Sequence, residues 1–205
     1  VIRIISYLFL IFKKMNILFA TSNKNKLKEI QSLLPSFIKL LSLEDIDLSE
    51  DIPETSLTIE GNAIQKTDYI VKHFGIDCFA DDTGLEVEAL NGSPGVHSAR
   101  YAGNGRNDKD NRDLLLKKMV GVKNRSARFK TVISLYYNKQ QYLFEGIING
   151  SIAIEENGNK GFGYDSIFIP ENEARTFSEM SLGEKNKISH RARAFSKMIS
   201  FFKEV

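Results

Sequence analysis

The chain has 205 residues, of which 42% are hydrophobic and 26% are charged, and its formal net charge is +2. These values are typical of a soluble globular protein with one sizeable core. They exclude an acidic tail and the strongly basic surface of a duplex-binding protein, so we expect no nucleic-acid partner. The single cysteine, Cys78, excludes an internal disulfide and a thiolate metal cluster, which suits a reducing cytoplasm.

The first 14 residues differ from the rest of the chain. Residues 4–12 are almost wholly apolar and have basic residues on both sides. This run is shorter than the roughly 20 residues that a membrane span needs, and no cleavage site of a signal peptide follows it. We expect residues 1–14 to lie outside the fold, with a natural start at Met15, and residues 15–205 to form a single domain. A membrane anchor is the less favoured alternative.

A strand is predicted over residues 15–20, and apolar residues at helical spacing from Leu27 to Leu34 predict a helix after it. The polar segment between them is a candidate phosphate site, because the first N–H groups of a helix and its dipole attract anions. An ordinary helix cap with solvated lysines is the alternative. The segment consists of Thr21, Ser22, Asn23, Lys24, Asn25 and Lys26.

A second helix is predicted over residues 59–73, with Thr58 as its cap, after a second strand and an acidic loop. Glu54 ends the acidic loop. Asn62 and Lys66 lie one turn apart on the helix. Considered singly, each of these three polar residues is expected at the surface.

Two adjacent acids, Asp81 and Asp82, follow a short apolar run that is predicted to be a strand. Carboxylates are depleted inside strands, so the pair predicts a strand end whose side chains project into solvent or a cleft. Thr83 and Gly84 then predict a sharp turn. Two hard oxygen ligands in this position could hold magnesium or activate a water molecule, although an ordinary acidic turn has the same composition.

The second half of the chain begins with an irregular segment over residues 98–103 and a glycine-rich loop, which we expect to be functional or mobile. A helix is predicted over residues 108–119. Residues 127–137 and 140–149 flank an Asn-Lys turn and predict an antiparallel hairpin. A bulge at Gly150 is predicted where the second strand continues.

Two further segments have side chains suited to a planar ligand. Residues 161–165 place two glycines around an aromatic residue, so the backbone can approach a ligand closely and Phe162 or Tyr164 could stack on a base. A tight loop with buried aromatic rings is the alternative. His190 and Arg191 open the last helix, where their donors suit oxyanions or carbonyl groups. A solvated pair in the first turn is the alternative.

Five motifs occur in order along the chain: Thr-x-Asn-x-x-Lys, Ala-Asp-Asp-Thr-Gly-Leu, Pro-Gly-x-x-Ser-Ala-Arg-Tyr, Gly-Phe-Gly-Tyr-Asp and Ile-Ser-His-Arg. Together they closely resemble the inosine triphosphate pyrophosphatase family. The resemblance runs from Met15 nearly to the C-terminus. It implies an α/β fold in which a long, twisted, mixed sheet with flanking helices forms two lobes around a nucleotide cleft. It also implies dependence on Mg²⁺ and a homodimer.

The resemblance implies roles for individual residues. Asp82 would be the essential carboxylate, which binds the metal together with Glu54 and polarises the water, while Asp81 would be a supporting acid. Gly61 departs from the family, which commonly has an acid there. Lys66 and Lys185 would contact phosphate or base. Thr83 would be a substrate contact. The other substrate-binding residues would be Thr21, Ser22, Asn23, Lys24, Asn25 and Lys26 around the triphosphate, and Phe162, Gly163, Tyr164, Asp165, His190 and Arg191 around the purine.

The implied reaction is the hydrolysis of dITP, ITP and XTP to the monophosphate and pyrophosphate. Magnesium and lysines suit the charge of a leaving pyrophosphate. Donors facing O6 favour a 6-keto purine, since adenine would leave them unpaired. The alternatives are a pyrophosphatase of the same fold for modified pyrimidine nucleotides and a non-catalytic nucleotide-binding protein. We expect a cytoplasmic location without membrane attachment.

Overall fold

A computed structural model describes residues 15–204, so the expectation about residues 1–14 lies outside the described residues. Within the described part, seven strands form one mixed sheet and five helices flank it, which confirms the α/β class. The strands are β1 (Met15–Phe19), β2 (Ile38–Leu41), β3 (Cys78–Val87), β4 (Pro94–Gly95), β5 (Ser126–Tyr137), β6 (Gln140–Ile152) and β7 (Phe168–Pro170). The helices are α1 (Lys24–Gln31), α2 (Ile59–Phe74), α3 (Asp108–Lys118), α4 (Leu182–Ile188) and α5 (His190–Glu204).

The strand order is β2-β1-β3-β5-β6-β7, and the short β4 also pairs with β3. Strand β1 is parallel to β2 and β3, and every other pairing is antiparallel. Asn138 and Lys139 both have positive φ angles (50° and 62°), as a tight two-residue hairpin turn requires, and the predicted hairpin is confirmed. The register continues without interruption through Gly150, so the predicted bulge is wrong.

Strand β3 does not end at the paired acids, and the predicted turn at Thr83 and Gly84 is wrong. The strand continues to Val87 because β5 pairs with it over its whole length. Its other edge is only partly covered: β1 pairs as far as Phe79, and β4 pairs from Leu85 onward. The two acids lie in the gap between these pairings, where polar side chains replace a neighbouring strand. The strand that ends at this point is β1.

Hydrophobic clusters lie at both ends of β3. At its start, Phe19 and Phe79 stack with ring centroids 4.5 Å apart beneath α1 and α5. At its far end, a second cluster joins β5, β7 and α3 around Phe129 and Phe168. The long strands β3 and β5 therefore connect two separately packed regions, and the gap in β3 lies between them.

Several local expectations hold in the structure. The Thr58 side chain accepts a hydrogen bond from the backbone N–H of Gly61, which confirms it as the cap of α2. Cys78 is buried, and burial raises the pKa of its thiol to about 12, so it is an inert core residue. Among the helices of residues 15–204, none is both long and apolar enough to cross a membrane. The sequence patterns do not predict α4.

Candidate active site

A cavity opens beside the gap in β3, between the hydrophobic clusters at the two ends of that strand. It brings together most of the residues predicted for the site. Lys24 and Asn25 are exceptions, since they border other surface grooves. The predicted residues that line the cavity are Thr21, Ser22, Asn23, Lys26, Glu54, Lys66, Asp82, Thr83, Phe162, Gly163, Tyr164, Asp165, Lys185, His190 and Arg191.

The start of α1 is capped by its own sequence. The side-chain oxygen of Asn23 accepts hydrogen bonds from the backbone N–H groups of Asn25 (2.9 Å) and Lys26 (3.1 Å). These two amides are therefore engaged within the cap, and the phosphate site expected at this segment stays a prediction. The positive charge at this place comes from the Lys26 ammonium group, whose side chain reaches the gap in β3.

Asp81 is held by cations on one face of β3. Its carboxylate accepts hydrogen bonds from the Lys26 ammonium group at 2.9 Å and from Nε of Arg191 at 3.2 Å. Burial acts to raise the pKa of Asp81, but these two cations and Lys66 outweigh it and hold the pKa far below its usual range. Asp81 is thus a permanently ionised partner for the surrounding cations.

Asp82 projects from the opposite face, because successive side chains of a strand alternate. One carboxylate oxygen accepts a hydrogen bond from the Asn62 amide at 3.1 Å, and the other lies 4.0 Å from the Lys66 ammonium group. Burial raises the pKa of Asp82 above its usual value, although Lys66 and Lys26 partly oppose that effect. Of the two adjacent acids, Asp82 is the one whose buried charge lacks full compensation. Such a group in a cleft is suited to bind a cation or a proton.

Helix α2 supplies the opposite wall of this region. The Lys66 ammonium group donates to Glu54 at 2.6 Å and to the backbone oxygen of Asp81 at 2.7 Å. Asn62 and Lys66 are 1% and 5% exposed, so the expectation that they lie at the surface is wrong. Their positions on the helix do not reveal that this face of α2 covers the gap in β3.

The departure at Gly61 has a local cause. A side chain at this position would place its Cβ atom 2.0 Å from Oγ of Ser56 and 2.9 Å from Oγ1 of Thr58. Both hydroxyls belong to the segment that caps α2. A side chain at this position would have to displace the side chains of Ser56 and Thr58, so glycine suits the way this chain enters the helix.

The oxygen ligands in this region fit a magnesium ion. Glu54 and Asp82 line the same cavity, and the charge of Asp82 is incompletely compensated. Among residues 15–204, no group of three or more His, Cys, Asp or Glu side chains is placed to hold a metal. Mg²⁺ is commonly bound by one or two carboxylates, with water and phosphate oxygens in its other positions, and Glu54 and Asp82 are the carboxylates that could hold it here.

The other end of the cavity has an aromatic wall. The His190 imidazole stacks on Phe129 with ring centroids 4.5 Å apart and an interplanar angle of 16°. Burial, together with the positive charges of Arg191 and Lys185, lowers the pKa of His190 well below its usual value, so the ring is neutral. Its Nδ1 atom is buried and has no hydrogen-bond partner in the described chain.

Residues 161–165 are held in place by hydrogen bonds. The Tyr164 hydroxyl donates to the backbone oxygen of Ser98 at 2.8 Å, which anchors its ring in the wall. Asp165 accepts from the backbone N–H of Phe162 at 2.9 Å and from Lys185 at 2.6 Å. Phe162 is half-buried and lines the cavity.

Several residues at or beside the cavity are not predicted as site residues by the sequence patterns. Glu29 is buried on α1 and pairs with both Lys185 and Arg191, and no periodic pattern distinguishes it from a surface acid. Phe129 has the appearance of an ordinary strand residue. Arg106 comes from the glycine-rich loop, whose irregular composition is the one signal that precedes it.

Comparison with known proteins agrees with the resemblance found in the sequence. The profile of the Ham1 family matches residues 17–201. The dITP/XTP pyrophosphatase of Flavobacterium psychrophilum is 59% identical over 189 residues, which are 92% of this chain and 100% of that protein. The corresponding protein of Porphyromonas gingivalis is 48% identical over 90% of this chain and 96% of its own length.

Solved structures give the same result. The Ham1 protein of Staphylococcus aureus superposes with a TM-score of 0.84 at 35% identity, covering 93% of this chain and 99% of that one. A HAM1 protein from Coxiella burnetii superposes with a TM-score of 0.85 at 37% identity, covering 93% of this chain and 100% of that one. The predicted resemblance is thereby confirmed, and the chain belongs to the Ham1 family.

Proposed function

We propose that this chain hydrolyses the noncanonical purine nucleoside triphosphates dITP, ITP and XTP to the monophosphate and pyrophosphate. The observation that carries the proposal is the incompletely compensated carboxylate of Asp82, which faces a cavity with lysines at one end and an aromatic wall at the other. Relatives that are 59% and 48% identical are named dITP/XTP pyrophosphatases, which supports this substrate class.

In the proposed reaction, the oxygen of a water molecule attacks the α-phosphorus and the bond from that phosphorus to the bridging oxygen breaks. Pyrophosphate leaves with the bridging oxygen, and the carboxylate of Asp82 orients the attacking water and takes up its proton. This step requires an ionised carboxylate with spare basicity, which the raised pKa of Asp82 provides. Asp81 lacks that basicity because its cations keep it ionised.

The leaving pyrophosphate requires positive charge. Lys26 and Lys66 each have three N–H donors, of which the protein contacts use two. The third donor of each ammonium group is available to phosphate oxygens. A magnesium ion on Glu54 and Asp82 would add Lewis-acid neutralisation of the phosphate charge. We propose this ion as the cofactor because the two carboxylates are hard oxygen ligands in one cavity.

Base selection is proposed to occur at the aromatic wall. A neutral imidazole can donate one hydrogen bond, so His190 can pair with the 6-keto oxygen of a purine. Three donors of Arg191 are engaged by Glu29, Asp81 and Thr83, which holds the guanidinium group rigidly beside that imidazole. The 6-amino group of adenine would meet a donor there and lose a hydrogen bond.

Two properties of the protein complete the proposal. We propose a homodimer, on the basis of the family resemblance, and sedimentation velocity will measure its mass.

We also propose that the protein acts in the cytoplasm, because its single cysteine is unpaired and buried and needs no oxidising compartment. Fractionation of cells that produce the protein tests this location.

The substrate proposal is tested by measuring pyrophosphate release from ITP, dITP, XTP, ATP, GTP and dTTP, with and without magnesium. We expect turnover of the first three nucleotides at rates at least about 100-fold above ATP, since a buried unpaired donor is strongly unfavourable. A preference for dTTP would instead support a pyrimidine nucleotide pyrophosphatase. Tight binding of ITP without turnover would support a non-catalytic nucleotide-binding protein.

A further inference from the structure

We propose that Arg106 binds the outer phosphate groups of the substrate, which are the groups that leave as pyrophosphate. This inference rests on the proposed function and assigns a residue to the phosphate end of the same cavity. Arg106 lies in the loop before α3, and its side chain lines the cavity together with Lys66 and Asp82.

The guanidinium group of Arg106 lies at the end of the cavity where the carboxylate of Glu54 is found. Its Nη2 atom lies 3.9 Å from the carboxylate of Glu54, which accepts a hydrogen bond from Lys66 at 2.6 Å. Lys66 in turn lies 4.0 Å from Asp82. Arg106 is thus on the side of the cavity where Glu54, Lys66 and Asp82 lie.

Arg106 differs from the other cationic residues of the cavity wall because its side-chain N–H donors are not engaged by the part of the protein that the structure describes. The other cationic side chains of the cavity wall, Lys26, Lys66, Lys185 and Arg191, each donate at least one hydrogen bond to a carboxylate. Within residues 15–204, Arg106 donates no side-chain hydrogen bond, and its side chain is 50% exposed. Its planar group therefore retains the donors that bind phosphate in a bidentate manner.

The backbone also holds this residue in an uncommon conformation. Arg106 has a φ angle of 50°, in the left-handed region that non-glycine residues rarely adopt. Asn107 directly after it caps α3, and the base of the loop is tied to the acidic segment by a 3.1 Å hydrogen bond from Arg100 to the backbone oxygen of Glu54. The loop thus fixes Arg106 at the cavity mouth next to Glu54.

The test compares Arg106→Gln with Arg106→Lys and with the control Arg128→Gln. Arg128 is 49% exposed, has one carboxylate partner and does not line the cavity.

With magnesium present, calorimetry measures the affinity for pyrophosphate and for IMP, which lacks the outer phosphates, and steady-state kinetics measure the KM for ITP. In Arg106→Gln we expect pyrophosphate affinity to fall and the KM to rise by about tenfold, as for a charged hydrogen bond. We expect IMP affinity to change less than about twofold, Arg106→Lys to retain most of the pyrophosphate affinity, and the control to match the unsubstituted protein.

Two results would overturn the inference. Unchanged pyrophosphate affinity in Arg106→Gln would show that the side chain makes no such contact. Equal losses for pyrophosphate and IMP would show that it acts through the fold. A third variant at this position, Arg106→Gly, suits the left-handed backbone and lacks the cation. It must therefore lose pyrophosphate affinity as Arg106→Gln does. Failure of the unsubstituted protein to hydrolyse ITP would refute the proposed function, and the pyrophosphate measurements would still decide whether Arg106 binds that anion.

Discussion

The carboxylate of Glu29 lies 2.6 Å from the ammonium group of Lys185, although 156 positions separate the two residues in the chain. The other oxygen of Glu29 pairs with Arg191. Because Lys185 also binds Asp165 and Arg191 also binds Asp81, a continuous row of buried charges crosses the rear of the cavity. Each charge has an opposite partner, which is the condition for burying ions in a protein. The row links the aromatic end of the cavity to the phosphate end.

Glu29→Gln tests the role of this row in stability. Burial acts to raise the pKa of Glu29, but Arg191 and Lys185 outweigh it and lower the pKa, so the charge stabilises the fold at neutral pH. We expect a loss of about 3 kcal/mol in the free energy of unfolding, as when one partner of a buried ion pair is removed. Urea denaturation at pH 7 measures it. Glu173→Gln, which breaks a surface pair with Arg175, is the control and should change stability by less than about 1 kcal/mol. Equal effects of the two substitutions would contradict the role of the row.

The two adjacent acids provide a matched pair of substitutions with opposite predicted effects on stability. The pKa of Asp82 is raised in the folded protein, so its ionised form is penalised, and this cost is present at pH 7 and absent below the ordinary pKa of an aspartate. The pKa of Asp81 is lowered, so its ionised form stabilises the fold at pH 7. In EDTA at pH 7, Asp82→Asn should raise the Tm and Asp81→Asn should lower it. Shifts in the same direction would be inconsistent with the two environments described.

Asp82→Asn also tests catalysis. The amide cannot take up the proton of the attacking water, so we expect the kcat for ITP to fall by at least about 100-fold. The affinity for inosine, which lacks the phosphates and has only the contacts of the aromatic end, should change little. Kinetics with ITP and calorimetry with inosine measure these two quantities. Near-normal turnover in this variant would remove Asp82 from the reaction.

Gly146 on β6 is required by the close approach of α5. A Cβ atom at this position would lie 2.0 Å from the backbone oxygen of His190 and 2.5 Å from the backbone nitrogen of Ala194. Gly146→Ala must therefore displace the start of α5, and we expect a loss of about 2 kcal/mol in stability together with a higher KM for ITP. Gly183→Ala is the control, because a Cβ atom there has no neighbour within 4 Å. A Gly146→Ala variant as stable as this control would contradict the predicted clash.

The buried imidazole of His190 makes stability depend on pH. Its pKa is lowered by burial and by the charges of Arg191 and Lys185, while Asp81 partly opposes them. As the pH falls, this histidine takes up a proton in the unfolded chain before it does so in the folded protein. The free energy of unfolding therefore decreases below about pH 6.5. Thermal denaturation between about pH 7 and pH 5 should show a smaller loss of Tm for His190→Gln than for the unsubstituted protein. The exposed His73→Gln controls for the loss of one histidine. An unchanged pH dependence in His190→Gln would contradict burial of a neutral ring.

Features with local causes are predictable from the sequence. The cap at Thr58 and the helix after it depend on neighbouring residues, and so does the two-residue turn at Asn138 and Lys139. The residues that bear the family motifs are also recognisable, since their order along the chain is itself a signal. Most of them reach one cavity in the fold.

Features that depend on distant partners are not predictable in this way. Asp82 lies inside a strand because β5 pairs with that strand on one side while β1 ends beside it on the other. Asn62 has the appearance of a surface residue until the gap that its helix covers is known. Glu29 resembles any helical acid, because both of its cationic partners come from the end of the chain.

The most direct test of the account is hydrolysis of ITP in water enriched in oxygen-18, with mass spectrometry of both products. Attack of water on the α-phosphorus, next to Asp82, predicts one labelled oxygen in every IMP molecule and unlabelled pyrophosphate in equal amount. Label in pyrophosphate, or release of IDP and inorganic phosphate, would contradict the proposed reaction.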